Sequence, residues 1–275
     1  MRLASIRSNG HACAARLEED RYVLLPHPDV GELLTHDDWR VRAAAPGPSV
    51  VANSVSLRPV VPAPPKIICV GRNYAAHAAE TGHQVPDHPV LFAKHTAGLT
   101  GPYDRIPMPA ASSQLDWEAE LCVVIGREGR AIPASDALDH VAGYTVGNDF
   151  SVRDWQNRTG QWHAGKAWDG LTPLGPHLVT DDGLPRGAAG LEVMCEVDGE
   201  VMQKASTDQF IFGVADLIVD INVFTRLMPG DVIFTGTPAG VGHARDPKVF
   251  LRPGQTVVTR IEAVGQLVNT VVGSD

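Results

Sequence analysis

The sequence has few of the features that mark several large classes of protein. Its 23 lysine and arginine residues are outnumbered by 32 aspartate and glutamate residues, so no excess of positive charge is present to meet nucleic acid phosphates. No apolar run approaches the length of a membrane span, and the first residues lack a signal-peptide pattern. We therefore expect a cytoplasmic protein that binds neither nucleic acid nor membrane.

The motifs of common nucleophilic and nucleotide-binding enzymes are also missing. The sequence has no GxSxG elbow, P-loop or GxGxxG fingerprint, which excludes an α/β-type serine hydrolase and argues against the usual phosphate-binding loops. Cysteine is scarce: the four cysteines lie far apart without a CxxC pair and are expected to be reduced. Cys122 lies in an apolar strand pattern, where a thiol is buried and inert, so a cysteine nucleophile is rejected.

The composition and the position of a proline-rich segment indicate two parts of unequal size. The composition, with 44% hydrophobic and 20% charged residues, is ordinary for a globular protein. The segment PVVPAPPK is rich in proline, which is typical of a stiff linker because proline cannot continue a strand ladder or a helix. This linker divides a small N-terminal domain, residues 1–62, from a larger domain, residues 63–275.

Short strand patterns dominate both parts, and no regular βαβ alternation is visible. The sequence therefore predicts an α+β fold that is mostly β. The pair Asp198-Gly199 predicts a hairpin turn between two alternating stretches. The predicted helical segments are a turn that starts at Thr35, a helix from Tyr74 to Thr81 that Gly82 ends, and a helix from Ser206 or Thr207 to about Arg226.

Two glutamates in LDWEAELCVVIG carry the strongest chemical signal. Glu118 and Glu120 are two residues apart in a strand pattern and point to one face, where their charges repel each other unless a cation binds. Such a pair alone is more often a solvated strand edge, but the apolar run LCVVIG indicates a central strand. Asp149, after a second apolar strand, is either a turn residue or a third ligand. Three carboxylates favour Mg²⁺, with Mn²⁺ or Ca²⁺ as alternatives, over zinc.

Further polar residues offer acid–base and anion-binding groups. His77 and Glu80 are three apart in a predicted helix, a spacing that suits a general base with its orienting carboxylate or an ordinary surface ion pair. Lys166, between two tryptophans, can hold an anion or extend along the surface. Three residues are candidates for contacting a substrate. Arg153 and Gln156 follow Asp149, and Thr237 lies in the glycine-rich stretch TGTPAGVG.

The order of these segments resembles the fumarylacetoacetate hydrolase family from about Lys66 to the C-terminus. Six collinear motifs carry the resemblance: KIICVGRNYAAHAAETG, PVLFAKHTAGLTGP, QLDWEAELCVVIG, GYTVGNDFSVRDWQ, GQWHAGKAWDGLTPLGP and PGDVIFTGTPAGVG. The resemblance implies a mixed-β roll or barrel of the fumarylacetoacetate hydrolase C-terminal type, commonly in a homodimer. The N-terminal residues are similar to the small β-rich extra domain of longer bacterial members.

The resemblance also implies residue roles, position by position. The metal ligands correspond to Glu118, Glu120 and Asp149. The catalytic residues correspond to His77, Glu80 and Lys166. The implied substrate-binding positions are Arg72, Tyr74, Lys94, Arg153, Gln156 and Thr237.

The implied activity is that of an enzyme acting on a small 2-keto or β-diketo acid. Because His77 and Glu80 can activate water, the first hypothesis is hydrolysis of a C–C bond in an acylpyruvate, fumarylpyruvate or fumarylacetoacetate-like substrate. The same site would serve an isomerase of the 5-carboxymethyl-2-hydroxymuconate or 2-hydroxyhepta-2,4-diene-1,7-dioate type, or an oxaloacetate-type decarboxylase. A β-rich binding protein with a structural cation is the non-enzymatic alternative.

Overall fold

Strands provide most of the regular structure in the computed structural model, which describes residues 1–273. The strands are β1 (Arg2–Ser8), β2 (His11–Glu18), β3 (Arg21–Leu24), β4 (Ser49–Val51), β5 (Ser56–Leu57), β6 (Ile67–Gly71), β7 (Val90–Lys94), β8 (Leu99–Thr100), β9 (Ile106–Pro107), β10 (Leu115–Asp116), β11 (Ala119–Ile125), β12 (Val141–Asn148), β13 (Ser151–Val152), β14 (Thr172–Thr180), β15 (Glu192–Val197), β16 (Glu200–Ser206), β17 (Val232–Phe234), β18 (Thr256–Ile261) and β19 (Gly265–Val272). The helices are α1 (Val30–Leu34), α2 (Trp39–Ala44), α3 (Ala75–Glu80), α4 (Arg153–Gln156), α5 (His163–Lys166) and α6 (Val214–Phe224).

Two mixed sheets organise these strands. Within residues 1–273, twelve strands form a large sheet in the order β4-β3-β2-β1-β14-β12-β11-β17-β6-β7, with β5 on β1 and β8 on β14. A second sheet has the order β16-β15-β18-β19-β9, and β10 pairs with β13. Most neighbours are antiparallel, whereas β17 and β6 run parallel. The predicted α+β, mostly β fold class is confirmed.

Both faces of the large sheet are covered. Leu121 and Val123 of β11 belong to an apolar cluster that includes residues of the second sheet and of α6. Cys122 and Val124 point the other way, into a cluster that includes residues of α1 and α2. A strand that is buried on both faces needs apolar residues at successive positions, which accounts for the uninterrupted run LCVVI.

The N-terminal residues continue the large sheet. β1 pairs antiparallel with β14, with Leu3 opposite Leu178. The proline-rich segment is packed, since Val60 and Val61 are buried in the cluster beneath α1. The division between residues 62 and 63 stays a prediction, because one sheet and one apolar cluster extend across it.

Two predicted helices begin elsewhere. The turn expected at Thr35 is wrong in position, because α1 and α2 lie on either side of it. Asp29 caps α1 by accepting a hydrogen bond from the Glu32 N–H at 2.9 Å, so the helix begins one turn earlier. The helix expected from Ser206 instead begins at Val214.

The start of α6 has a local cause. The Asp216 side chain accepts a hydrogen bond from the Gly213 N–H at 2.9 Å and closes the first turn there. Ser206 caps only a short turn, its hydroxyl accepting from the Asp208 N–H at 3.2 Å. Capping interactions therefore occur both at Ser206 and at Gly213, and the prediction started the helix at the wrong one of these two residues.

Other local predictions are confirmed. α3 occupies the predicted helix, and Gly82 follows it with a φ of 75°. The hairpin of β15 and β16 turns at Asp198 and Gly199, both with positive φ. No helix in the described part of the chain is long and apolar enough to cross a membrane.

The apolar cluster that the N-terminal part shares with the large sheet allows the predicted domain division to be tested. Leu33 is fully buried in α1, so Leu33→Ala should lower the free energy of unfolding by about 2–5 kcal/mol. If the N-terminal part unfolds with the sheet that it covers, urea unfolding followed by tryptophan fluorescence and by circular dichroism should give one coincident transition at lower urea. Val41→Ala, at a position 72% exposed, is the control and should change stability by less than about 0.5 kcal/mol. A separate early transition that leaves the main transition unchanged would contradict this expectation.

Candidate active site

Two neighbouring strands bring the three predicted metal ligands together. β11 and β12 pair antiparallel, with Ala119 opposite Asn148. Glu118 and Asp149 therefore lie beside each other at the same end, and the Asp149 N–H donates to the Glu118 carbonyl oxygen at 2.9 Å. With Glu120, each of the three side chains offers a carboxylate oxygen, and these atoms lie within 4.8 Å of one another.

These carboxylates lie against an apolar floor. Glu120 and Cys122 are on the same face of β11, and Cys122 belongs to the apolar cluster that also contains Cys69 and Phe234. All three carboxylates are buried. Because little water reaches them, each negative charge is costly unless a positive group accompanies it.

Buried cationic side chains compensate part of this charge. Lys166 Nζ donates to Glu118 Oε2 and to Asp149 Oδ2, both at 2.7 Å, and Lys94 Nζ donates to Asp149 Oδ1 at 2.5 Å. Although burial acts to raise it, the pKa of Glu118 is lowered by Lys166 and Arg153. Burial acts to lower the pKa of Lys166, but Asp149 and Glu118 raise it above its ordinary value.

Glu120 is the least compensated of the three. Its Oε2 accepts a hydrogen bond from the Gly236 N–H at 2.7 Å, and no salt bridge reaches it from another residue in the range 1–273. Burial, Asp149 and Glu118 raise the pKa of Glu120 well above its ordinary value. With Asp116, four buried carboxylates lie beside only three buried cations. A divalent cation fits this donor set for two reasons. It would supply the missing positive charge, and all three ligands offer oxygen atoms, which such cations prefer.

The predicted acid–base pair is formed and held in place. His77 Nδ1 and Glu80 Oε1 are 2.7 Å apart, and Glu80 Oε2 accepts a hydrogen bond from the Gly240 N–H at 2.9 Å. Gly240 has a φ of 108°, and a Cβ there would lie 2.1 Å from the Met202 carbonyl oxygen, so only glycine fits. Because Glu80 engages Nδ1, the second ring nitrogen of His77 is the one left for proton transfer.

The pair lines a cavity of about 590 Å³ together with Glu118 and Glu120, a size typical of small-molecule sites. Arg72 lies on its wall with its guanidinium carbon 5.3 Å from the centre of the Trp162 ring. Burial lowers the pKa of Arg72. Further basic side chains on the cavity wall are His83, Arg153, Lys166, His243, Arg245 and Lys248. The excess of positive groups suits a small anion.

The predicted substrate contacts divide into two sets. Those that line the cavity are Arg72, Arg153, Gln156 and Thr237. Lys94 and Tyr74 lie behind the wall. Lys94 holds Asp149, and the Tyr74 ring packs edge-on against Phe210 with 5.0 Å between ring centres. Both are nearly fully buried, so the structure gives them supporting positions rather than contact with the cavity.

Asp116 is a site residue that the sequence reasoning missed, as it also missed Arg245 and Lys248 on the cavity wall. Its carboxylate accepts hydrogen bonds from Arg153 Nε at 2.8 Å and from the N–H groups of Gly242 and His243 at 2.8 and 2.9 Å. It therefore fixes both Arg153 and the loop that forms one wall of the cavity. A signal was present, because acidic residues alternate in DWEAE and thus favour one face of an extended chain.

The mostly β fold and this cavity, with its clustered carboxylates, His–Glu pair and basic side chains, define a class of protein suited to binding small anions. The profile described as fumarylacetoacetate (FAA) hydrolase C-terminal matches residues 66–272. The chain belongs to the fumarylacetoacetate hydrolase family, and the resemblance seen in the six motifs is confirmed.

Known relatives have several activities. The mitochondrial oxaloacetate tautomerase Fahd2a of Rattus norvegicus is 45% identical over 230 residues, which cover 83% of this chain and 73% of the relative. The 5-carboxymethyl-2-hydroxymuconate delta-isomerase of Mycobacterium smegmatis has a solved structure with a TM-score of 0.83, 35% identity and 100% coverage of both chains. The fumarylpyruvate hydrolase of Pseudomonas aeruginosa, solved with Mn²⁺ and pyruvate, has a TM-score of 0.70 and 34% identity, covering 80% of this chain and 92% of its own.

The activities of these relatives indicate a type of reaction for this family but differ from one relative to the next. A tautomerase, an isomerase and a hydrolase are all similar to this chain, so an activity of the hydrolase or isomerase type is supported and its subclass is not. The rat relative is mitochondrial, and the cytoplasmic location stays a prediction.

The charge imbalance at Glu120 generates a prediction about cation binding. Glu120→Gln keeps the size of the side chain and its hydrogen bond from Gly236, but removes one anionic ligand. Titration calorimetry with Mn²⁺ should show affinity reduced by more than about tenfold, or about 1.4 kcal/mol. Thermal stability without added metal should be retained, since the variant buries no additional unpaired charge.

The matched control is Glu200→Gln, because Glu200 is exposed at the start of β16 and should not affect Mn²⁺ binding. Equal Mn²⁺ affinity in the two variants would exclude Glu120 as a ligand.

Proposed function

We propose that the protein is a divalent-metal-dependent enzyme that moves a proton at the carbon beside the keto group of a small 2-oxo dicarboxylic acid, and thereby interconverts keto and enol forms. The observation that carries the proposal is the His77–Glu80 pair on the wall of a cationic cavity that also exposes Glu118 and Glu120. The similarity to an oxaloacetate tautomerase supports this choice among the reactions of the family.

The proposed cation is Mg²⁺ or Mn²⁺, with Glu118, Glu120 and Asp149 as its ligands. Three carboxylates offer the hard oxygen atoms that these ions prefer. A fumarylpyruvate hydrolase that is 34% identical was solved with Mn²⁺ and pyruvate. When bound, such a cation polarises a keto group and so acidifies the neighbouring C–H bond.

His77 transfers the proton in this proposal. Glu80 accepts from Nδ1 and fixes the ring, and it stabilises the imidazolium after the proton has been taken up. The Gly240 N–H holds the other oxygen of Glu80, so the carboxylate stays in place during the transfer. Return of the proton to oxygen or to carbon completes the interconversion without consuming another reactant.

Basic residues on the cavity wall favour a substrate with two carboxylates. Lys166 and Arg153 are already engaged by acidic side chains, whereas Arg72, Arg245 and Lys248 supply further positive charge. Arg245 donates through Nη2 to the Met202 carbonyl oxygen at 2.9 Å, and its buried Nε has no partner within residues 1–273. Charge-assisted hydrogen bonds from these groups would hold the second carboxylate.

Hydrolysis of a C–C bond is the second candidate, and the size of the cavity favours it. A volume of about 590 Å³ exceeds what a four-carbon diacid fills and leaves space for a water molecule and an acyl chain. The His77–Glu80 pair would then deprotonate water for attack on the distal carbonyl group. The products would be a 2-oxo acid and a carboxylic acid.

One set of reactions separates the candidates. Oxaloacetate, acetylpyruvate and fumarylpyruvate are incubated with the protein and Mg²⁺, and proton NMR follows their enol, keto and cleaved forms. Faster equilibration of enol and keto oxaloacetate without cleavage supports the tautomerase. Formation of pyruvate together with acetate or fumarate would reject the tautomerase in favour of the hydrolase. A loss of CO₂ would indicate a decarboxylase. No reaction with any substrate would reject both candidates.

Removal of the imidazole generates the first functional prediction. His77→Ala should lower kcat by about 10²- to 10⁴-fold, the usual contribution of a general base. Mn²⁺ affinity measured by calorimetry should be unchanged, because His77 is not among the proposed ligands. His88→Ala, at an exposed histidine beyond α3, is the control and should retain full activity. Near-normal turnover by His77→Ala would remove this residue from the mechanism.

Metal depletion separates an enzyme from a protein with a structural cation. After all metals have been stripped by a chelator, the protein should remain folded and inactive. Added Mg²⁺ should restore turnover and shift the midpoint of thermal unfolding by less than about 4 °C, because a weakly held catalytic ion adds little stability. A stripped chain that unfolds and regains structure only with Mg²⁺ would favour the non-enzymatic alternative.

A further inference from the structure

A second group of possible metal ligands lies in the N-terminal part. Besides the three carboxylates, one other group in residues 1–273 offers three ligand atoms within 4.8 Å of one another: His27, Glu32 and His36. We propose that this His–Glu–His cluster binds a zinc ion. The cluster precedes residues 66–272, the range that matches the family, and it shares no residue with the site described above.

The cluster is centred on the carboxylate of Glu32. His27 Nδ1 lies 2.7 Å from Glu32 Oε2, and His36 Nε2 lies 3.1 Å from Glu32 Oε1. The two imidazole rings are tilted by 58° to each other, with 5.1 Å between their centres. One ring nitrogen from each histidine therefore converges on the same carboxylate.

The backbone holds each of the three residues in position. The His27 carbonyl oxygen accepts from the Ala14 N–H at 2.8 Å, which ties this residue to β2. Glu32 lies in α1, whose first turn is fixed by the Asp29 cap. His36 follows the same helix, and its N–H donates to a carbonyl oxygen of α1 at 3.3 Å. Since these positions are set by the fold, an ion would bind without ordering a loop.

The donor set selects the class of ion. Two imidazole nitrogens and one carboxylate are typical ligands of Zn²⁺, whereas Mg²⁺ and Ca²⁺ prefer oxygen. Atoms bound to one zinc ion at tetrahedral angles lie about 3.3 Å apart. The two nitrogen–oxygen separations of 2.7 and 3.1 Å are each within roughly half an ångström of that spacing, and the three ligand atoms lie within 4.8 Å of one another. The side chains of Glu32 and His36 are 40% and 33% exposed and can adjust, while His27 is buried. The exposed side gives the ion a path of entry and leaves a position for water.

Zinc at this cluster would stabilise the N-terminal part against the large sheet. It would connect the segment before α1 to the turn after it. Val30 and Leu33 of α1 pack in the apolar cluster that contains Cys69 and Cys122, the floor beneath the buried carboxylates. Because an ion that binds only the folded state raises its stability, the effect should extend to the unfolding of the whole chain.

The test uses the full chain in the Glu120→Gln background, so that zinc cannot gain affinity from the intact carboxylate site. Metal-stripped protein is titrated with Zn²⁺ in excess Mg²⁺, and binding is measured by competition with a chromophoric chelator. One equivalent of Zn²⁺ should bind and raise the midpoint of thermal unfolding by about 5 °C. Crystals grown with zinc should show an anomalous peak within reach of His27 Nδ1 and His36 Nε2.

Matched histidine variants make the result specific. His36→Gln in the same background should weaken Zn²⁺ binding by at least about tenfold and remove the thermal shift, because one of three ligands is lost. His11→Gln, at an exposed histidine of the same N-terminal part, should bind as the parent does. Equal affinity of His36→Gln and His11→Gln, an anomalous peak elsewhere, or no Zn²⁺ binding by the parent would each overturn the proposal.

Discussion

The burial of four carboxylates at one end of β11 and β12 is the constraint on which the rest of the site depends. Each needs a compensating positive group, because a lone buried charge would cost more than the fold can supply. The compensating groups come from different parts of the chain: Lys94 from β7, Arg153 from α4 and Lys166 from α5. Removal of Arg153, for example, would leave Asp116 without an ion pair among residues 1–273, so electrostatic interactions help to hold these short elements in place.

The same constraint prepares the site for chemistry. An apolar floor that includes Cys69 and Cys122 keeps the local dielectric constant low, so that charges in the cavity interact more strongly than in water. Glu80 links the acid–base pair to this arrangement, since it contacts His77 on one side and the glycine-rich loop after β17 on the other. The imidazole and the carboxylates are thereby fixed relative to each other although α3 is only six residues long.

Features encoded over a few residues could be predicted from the sequence. The strand around Glu120, the hairpin at Asp198 and the end of α3 at Gly82 all depend on local pattern or on backbone conformation. Features that depend on contacts between residues far apart in the sequence could not be predicted. Nothing local in the sequence shows that Lys94 holds Asp149, and the substrate contact that the resemblance implies for Lys94 stays a prediction. The beginning of α1 was missed because Asp29, Thr35 and the acidic residues after it all suit a cap, and packing against the sheet selects among them.

The pairing of β1 with β14 has a consequence for the order in which the protein can be assembled. β1 can pair with β2 early, but it can pair with β14 only when residues near 178 have left the ribosome. Until then, the early meander of β1, β2 and β3 has an unpaired edge and an uncovered apolar face, both of which invite association with other chains. Contacts between such distant residues also slow folding. Newly made chains should therefore depend on chaperones for longer than a protein in which the N-terminal strands pair only with one another.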